Sequence, residues 1–227
     1  MEQYGALEHL FHECSTEIGI PTEPDQVQLF LIYLKQLQLW NQSFNLTAIT
    51  KDEDVIIKHF IDSLAVLKAV NIGQGSHILD VGAGAGFPGI PLKILRPDLF
   101  MTLVEPTHKK SAFLHFMVGV LRLKNVDLFQ GTVERLIHSH RESTRYDYIT
   151  ARALNPSLIF HTAKKLLKSS GKAIIYSSKP LVSASIPNEW RFMSNYTFEL
   201  PHAYGSRTIS IFSHHGDSSS LTVPRGT

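Results

Sequence analysis

A single cysteine, Cys14, leaves no partner for an intramolecular disulfide, and the twelve histidines form no Cys/His set with zinc-site spacing. A reducing compartment and no bound metal are therefore expected. No apolar run approaches the roughly 18 residues that a bilayer span requires. The amino terminus lacks a basic stretch leading into an apolar one, so neither a membrane anchor nor a secretory leader is expected and a cytoplasmic location is. Basic residues are also scarce at first: residues 1–50 hold six acids (Glu2, Glu8, Glu13, Glu17, Glu23, Asp25) and Lys35 alone. That is −5, and with a net charge of +2 the remainder carries +7.

The positive charge concentrates between Thr107 and Lys179, where thirteen Lys or Arg face four acids. A face of that sign attracts phosphate backbones, although any one of these residues reads equally as part of a solvated helix surface. Apolar content of 43% and charged content of 19% are ordinary for a packed domain. At 227 residues the chain is long enough for one well-buried α/β domain with an extension.

Helical spacing dominates the first seventy residues. Leu7, Leu10, Phe11, Cys14 and Ile18 form one apolar stripe; Val27, Phe30, Leu31, Leu34, Leu37 and Trp40 form a second, opened by Pro24. A third helix is expected from Thr50, because Thr50-Lys51-Asp52-Glu53 has the form of a capping box. From His77 the pattern changes to short apolar strands, near 77–81, 101–105, 126–129, 147–152, 172–177, 192–200 and 207–213. Helical segments near 88–95, 107–122, 133–140 and 157–168 separate the first five. Such alternation implies a mostly parallel sheet covered on both faces, and the closely spaced last two strands imply an antiparallel hairpin at one edge. The expected organisation is a helical extension over 1–72, a Rossmann-like domain over 73–213 and a disordered polar tail over 214–227.

The segment Ile78-Leu79-Asp80-Val81-Gly82-Ala83-Gly84-Ala85-Gly86-Phe87-Pro88-Gly89 carries the chemistry. An apolar strand that breaks into three alternate glycines offers bare backbone to a ligand. Read as G-x-G-x-x-G over Gly84, Gly86 and Gly89, it would suit a dinucleotide, but Pro88 removes a donor where a pyrophosphate needs one. Read as D-x-G-x-G-x-G over Asp80, Gly82, Gly84 and Gly86, it resembles the first motif of methyltransferases that use S-adenosylmethionine, a ligand without phosphates. Glu105 ends the second strand, where a carboxylate can accept from ribose hydroxyls; it also reads as an acid at a helix amino terminus. Both cofactors want that residue, so it points to a nucleoside without choosing one. A NAD-dependent oxidoreductase, a non-catalytic RNA-binding module and a small-molecule methyltransferase stay open at this level.

Outside the loop, Trp40-Asn41-x-x-Phe44-Asn45-Leu46-Thr47, Lys58-His59-Phe60-Ile61-Asp62-Ser63-Leu64 and Gly86-Phe87-Pro88-Gly89-Ile90-Pro91 stand in order. Lys109-Lys110-x-x-Phe113-Leu114, Val133-Glu134 and Ala151-Arg152-Ala153 follow. Together, over residues 25 to 180, they resemble the bacterial small-subunit ribosomal RNA (guanine-N7)-methyltransferases, the glucose-inhibited division protein B family. The resemblance implies an S-adenosylmethionine-dependent methyl transfer to N7 of a guanine in the decoding-region loop of 16S ribosomal RNA. The substrate would be that RNA or the small ribosomal subunit, and the enzyme a monomer. It implies Asp80, Gly82, Gly84, Gly86, Phe87 and Glu105 at the cofactor, with Gly82 and Phe87 flanking its methionine part. It places Val133 and Glu134 by the adenine, Arg152 closing the site, and Asn45, His59, Asp62 and Lys179 as candidates for positioning the target. Two departures from the family pattern are Lys179-Pro180 in place of Lys-Gly and a last strand, Thr208 to Phe212, without its basic ending.

His59 and Asp62, three apart on a helix face, could instead pair with each other, and Asn45 could bond only local backbone. Trp40 reads better as core than as a base platform. A charge at the end of the apolar strand leading to Arg152 needs a partner or a cleft, and Arg152 is expected to act in catalysis or closure rather than in folding.

Overall fold

The computed structural model describes residues 2–139, 145–181 and 186–214. Its seven strands are β1 (His77–Val81), β2 (Phe100–Glu105), β3 (Val126–Gln130), β4 (Tyr146–Arg152), β5 (Leu167–Ser177), β6 (Trp190–Glu199) and β7 (Ser206–His214). They form one sheet in the order β3-β2-β1-β4-β5-β7-β6. The first five strands are parallel; β7 runs antiparallel beside β5, and β6 pairs with β7 at the outer edge. The expected hairpin is present. β5 begins five residues earlier than the apolar pattern suggests, with a register shift between Tyr146 and Tyr148 of β4. Gly171 permits it: a Cβ there would sit 2.9 Å from the Lys168 carbonyl oxygen and 3.0 Å from that of Tyr146.

Helices α1 (Glu2–Glu17) and α2 (Pro24–Phe44) precede the sheet, and Gln26 Oε1 accepts from the Glu23 N–H at the start of α2. The third helical stretch departs from expectation. Thr50 does not cap it; α3 (Asp52–Val55) starts one residue beyond Lys51, and the Thr50 carbonyl instead accepts from Gln38 Nε2 at 2.6 Å. The chain then widens into a π-helical turn, Ile56–Ile61, before α4 (Asp62–Leu64) and α5 (Val66–Ala69). Helices α6 (Gly89–Leu95), α7 (His108–Val120), α8 (Val133–Ile137) and α9 (Pro156–Leu166) link the parallel strands.

The amino-terminal helices share a core with one face of the sheet: Phe11, Phe30, Tyr33 and Phe60 pack in one buried cluster with Ile78, Met101, Phe113 and Ile174. The other face, under α8 and α9, buries Leu79, Val104, Ile149, Phe160 and Ile175. No described helix is long and apolar enough to cross a membrane, and no group of three or more His, Cys, Asp or Glu among the described residues could hold a metal ion. Apart from His214, which ends β7, the expected disordered tail lies outside the described residues.

Candidate active site

Because β1 pairs with both β2 and β4, successive connections leave β1 in opposite directions and a crevice opens beyond the carboxyl ends of these strands. A cavity of about 410 Å³ occupies it, bounded by Leu46, Thr47 and His59 on one side and by the Gly82–Ala85 turn, Phe87, Glu105, Lys110 and the Arg152–Leu154 turn on the other. The Gly82 N–H and Ala83 N–H both donate to the Val104 carbonyl, at 2.9 and 3.0 Å. They pin the turn to β2. The three glycines then differ in what requires them. Gly82 (φ +69°) is bare because Leu154 packs there: an added Cβ would meet Leu154 Cδ1 at 2.8 Å. At Gly86 (φ +105°) a Cβ would collide with Tyr33 Oη and Ile90 Cδ1, each at 2.6 Å. Gly84 (φ +61°) differs, because a Cβ there meets only the Gly82 carbonyl, at 3.8 Å. No side chain of the protein packs against that position, which opens on the cavity.

Glu105 is buried, and each carboxylate oxygen takes one backbone donor, Gly84 N–H at 2.9 Å and Thr107 N–H at 2.8 Å. Glu105 thus ties the glycine turn to the approach to α7, lines the cavity and keeps lone pairs beyond the two that these donors use. Asp80 plays a different part from the one expected. It is fully buried and does not line the cavity; Oδ2 accepts from Gly89 N–H at 2.9 Å and Oδ1 from Thr150 Oγ1 at 3.1 Å. Burial pushes its carboxyl up to about 7 despite those bonds. Asp80 holds the loop closed onto the first turn of α6.

Arg152 is where distant segments meet. The Asp62 N–H, which an α-helix would bond to the Lys58 carbonyl, is shared between the Ile57 and His59 carbonyls in the π-helical turn. The Lys58 carbonyl is left for Arg152, whose Nη2 donates to it at 2.7 Å and lies 2.9 Å from His59 Nδ1. Arg152 Nη1 stands 3.4 Å from Asp62 Oδ2, with no hydrogen bond of its own although it is buried. His59 and Asp62 thus pair with Arg152, and not with each other. Asp62 is also 4.0 Å from Arg207 Nε. Burial raises the Asp62 carboxyl, and the two guanidinium groups pull it down.

Burial first, and then the Arg152 charge, lower His59 to about 3, so the ring is neutral. With Nδ1 facing a guanidinium donor, the proton sits on Nε2 and is donated to Thr47 Oγ1 at 2.9 Å. Thr47 Oγ1 also accepts from Ile49 N–H at 3.1 Å, which leaves its own hydroxyl proton for the cleft. Phe87 is stacked between Tyr33 and His59, with ring centroids 5.5 and 4.4 Å away. Tyr33 donates to the Ala85 carbonyl, so α2 grips the glycine turn directly.

The lowered His59 sets a pH signature. Between about pH 6.5 and 3 the unfolded chain binds a proton that the folded chain refuses, so stability falls on acidification by up to about 1.4 kcal/mol per unit. Asp80 has the opposite sign: raised from 3.8 to about 7, its contribution is full below 3.8 and lost as pH rises through 7. His59→Gln removes only the first. The stability of the wild type relative to this variant, from urea midpoints between pH 4 and 6.5, is expected to decline as the pH is lowered; parallel curves would contradict the assignment.

The remaining candidates lie outside this cavity. Asn45 ends α2 in a left-handed conformation (φ 49°), its N–H bonded to the Asn41 carbonyl and its side chain exposed, just before the lining residues Leu46 and Thr47. Val133 is buried and Glu134 exposed at the start of α8, beside the end of β2 through the Gly131 N–H to Glu105 carbonyl bond of 3.1 Å. Lys179 is exposed just beyond β5, and its carbonyl accepts from Ser177 Oγ. Sequence reasoning missed Tyr33, Thr47, Lys110, Leu154 and Arg207; of these only Thr47 and Lys110 stood inside a motif.

A second cavity, of about 490 Å³, adjoins the first and shares Arg152, Ala153 and Leu154 with it. Asp62, Tyr176, Ser177, Leu181 and Arg207 also line it. The described residues of the basic stretch, by contrast, do not form one surface. Lys164 pairs with Glu189 at 2.9 Å and Lys168 with Asp147 at 2.8 Å, where α9 enters β5 and β4 begins, the end of the sheet opposite the glycine turn.

A glycine turn at the switch point of this seven-stranded sheet, with a carboxylate ending β2 beside the cavity, is the arrangement of a Rossmann-like methyltransferase. Solved structures share the fold. MtNAS in complex with MTA and tNA aligns over 94% of this chain and 88% of its own at 14% identity and a TM-score of 0.58; TrmN from Thermus thermophilus aligns over 68% and 48% at 15% and 0.55. The family model described as rRNA small subunit methyltransferase G matches residues 26–185. Relatives named ribosomal RNA small subunit methyltransferase G are 39% identical over 168 residues in Caldanaerobacter subterraneus and 34% identical over 200 residues in Lachnoclostridium phytofermentans. A third, in Roseiflexus, is 42% identical over 137 residues. These alignments cover 74, 85 and 60% of this chain and 70, 83 and 58% of the respective relatives. The chain belongs to the ribosomal RNA small subunit methyltransferase G family, whose members are S-adenosylmethionine-dependent rRNA methyltransferases.

Proposed function

We propose that this chain methylates N7 of a guanine in the decoding-region loop of 16S ribosomal RNA, with the cofactor in the glycine-lined cavity and the guanine in the cavity behind Arg152. The observation that carries this reading is the pair of cavities meeting at Arg152, one bounded by bare backbone and Glu105, the other by two guanidinium groups and a carboxylate. Guanine offers an acceptor at O6 and donors at N1 and N2, which matches a guanidinium of Arg152 or Arg207 and the Asp62 carboxylate between them, and leaves the N7 lone pair free. Gly82 and Phe87 would flank the methionine part of the cofactor, Val133 and Glu134 its adenine, and Asn45 and Lys179 the rim where the target enters.

When bound, S-adenosylmethionine supplies a sulfonium methyl, whose transfer forms an N–C bond at N7 as the S–C bond breaks. N7 carries an in-plane lone pair and no proton, so no residue has to act as a base. His59, neutral and doubly engaged, is not needed as one. The chain contributes placement, which in favourable systems is worth roughly 7–11 kcal/mol. Arg152 is held by the Lys58 carbonyl, His59 and Asp62, which fixes its guanidinium at a residue that both cavities share. A base must leave its stack to reach that junction, which favours a loop in folded RNA over a duplex.

Radiolabelled methyl transfer to undermethylated 16S RNA and to small subunits, followed by mapping of N7-methylguanine, tests the reading. Incorporation at one decoding-region guanine is expected. Label at another base atom, or none on either substrate, would overturn it.

A further inference from the structure

We infer that the exposed rings of Phe44 and Phe116, with Trp40 between them, form a stacking platform for unpaired nucleotides of the substrate RNA beside the mouth of the cofactor cavity. The inference rests on the rRNA reading above and adds a surface to it. Phe44 is 41% and Phe116 37% exposed, and their centroids lie 5.3 and 5.2 Å from that of the half-buried Trp40. Trp40 also touches the buried Phe113, at 5.4 Å, which anchors the group to the core. Three rings held this way, two of them in solvent, offer flat apolar faces at little entropic cost.

The platform leads into the site along both elements that build it. The end of α2 carries Trp40 and Phe44 and continues directly into Leu46 and Thr47 of the cofactor cavity. Helix α7 carries Phe116 and, about 9 Å along its axis toward the amino end, Lys110 of the same cavity. Charge selects the partner. No acid occurs between Asp25 and Asp52, or between Glu105 and Asp127, so neither element contributes a negative side chain here. His108, Lys109 and His115 are exposed on α7, and Lys110 is half-buried. Exposed aromatic rings on two segments that carry lysine and no acid fit the combination of base stacking and phosphate attraction that single-stranded nucleic acid uses.

The test uses the full chain and compares Phe44→Ala/Phe116→Ala with Phe44→Tyr/Phe116→Trp and Phe44→Leu/Phe116→Leu. Measured are affinity for an unpaired RNA oligonucleotide, KM for undermethylated small subunits, affinity for S-adenosylmethionine, and sedimentation. The alanine pair is expected to weaken RNA binding and raise the RNA KM by at least about tenfold with cofactor affinity unchanged. The aromatic pair should restore binding and the leucine pair should not, because only a ring stacks on a base. Wild-type RNA affinity in the alanine pair, rescue by leucine equal to that by the aromatic pair, or a wild-type dimer that dissociates in the alanine pair overturns the platform. A wild-type protein that methylates no rRNA fails in a different arm and removes the parent reading itself.

Discussion

Gly84→Val is expected to lose at least about a hundredfold in affinity for S-adenosylmethionine while the chain stays folded. In the protein alone a Cβ at Gly84 meets nothing closer than a carbonyl at 3.8 Å, so the added methyls project into the space the ligand needs. Left-handed backbone (φ +61°) adds a strain of about 1–3 kcal/mol, which lowers the melting temperature without unfolding the chain at 25 °C. Gly86→Val should behave in the opposite way. Its Cβ would drive into Tyr33 Oη and Ile90 Cδ1 at 2.6 Å, breaking the grip of α2 on the turn, so the fold is lost first. Calorimetric titration of cofactor beside thermal melting separates the two. Undiminished affinity in a folded Gly84→Val variant would place the cofactor elsewhere.

Arg152→Ala is expected to abolish measurable methyl transfer and also to destabilise the fold by about 3 kcal/mol, contrary to the sequence expectation that folding would barely change. The reason lies in what the guanidinium leaves behind. Asp62, 4% exposed at its side chain, keeps only Arg207 at 4.0 Å, and the Lys58 carbonyl, already passed over by the helix, loses its donor. Adding Asp62→Asn to Arg152→Ala removes the uncompensated charge and should recover much of the stability while turnover stays lost. Recovery of both would mean that Arg152 serves only to neutralise Asp62. Retention of turnover per folded molecule in the single variant would remove Arg152 from the transfer step.

The sequence by itself determined the parts of this protein that are local. Alternating apolar strands and helical stripes gave the strand positions to within a few residues, because burial on both faces of a parallel sheet writes continuous apolar runs. The glycine turn and Glu105 were legible for the same reason: a ligand approaching bare backbone at a strand end needs particular residue types at fixed local offsets. Only the tertiary structure decided the rest. That Gly84 alone of the three alternate glycines faces open space depends on Leu154 and Tyr33, which are remote in sequence. Asp80 matches the motif, yet its carboxylate turns inward to Gly89 and Thr150. Thr50 has the letters of a cap, but helix α3 begins after Lys51 because Gln38 claims the Thr50 carbonyl. The thirteen basic residues of the central stretch read as one surface until folding set Lys164 and Lys168 against Glu189 and Asp147, away from the site. Most of all, Arg152 meets Lys58, His59 and Asp62 across about ninety residues. No periodicity encodes that meeting, since it joins strand β4 to the π-helical turn Ile56–Ile61, where the Asp62 N–H bonds Ile57 and His59 and the Lys58 carbonyl accepts from Arg152.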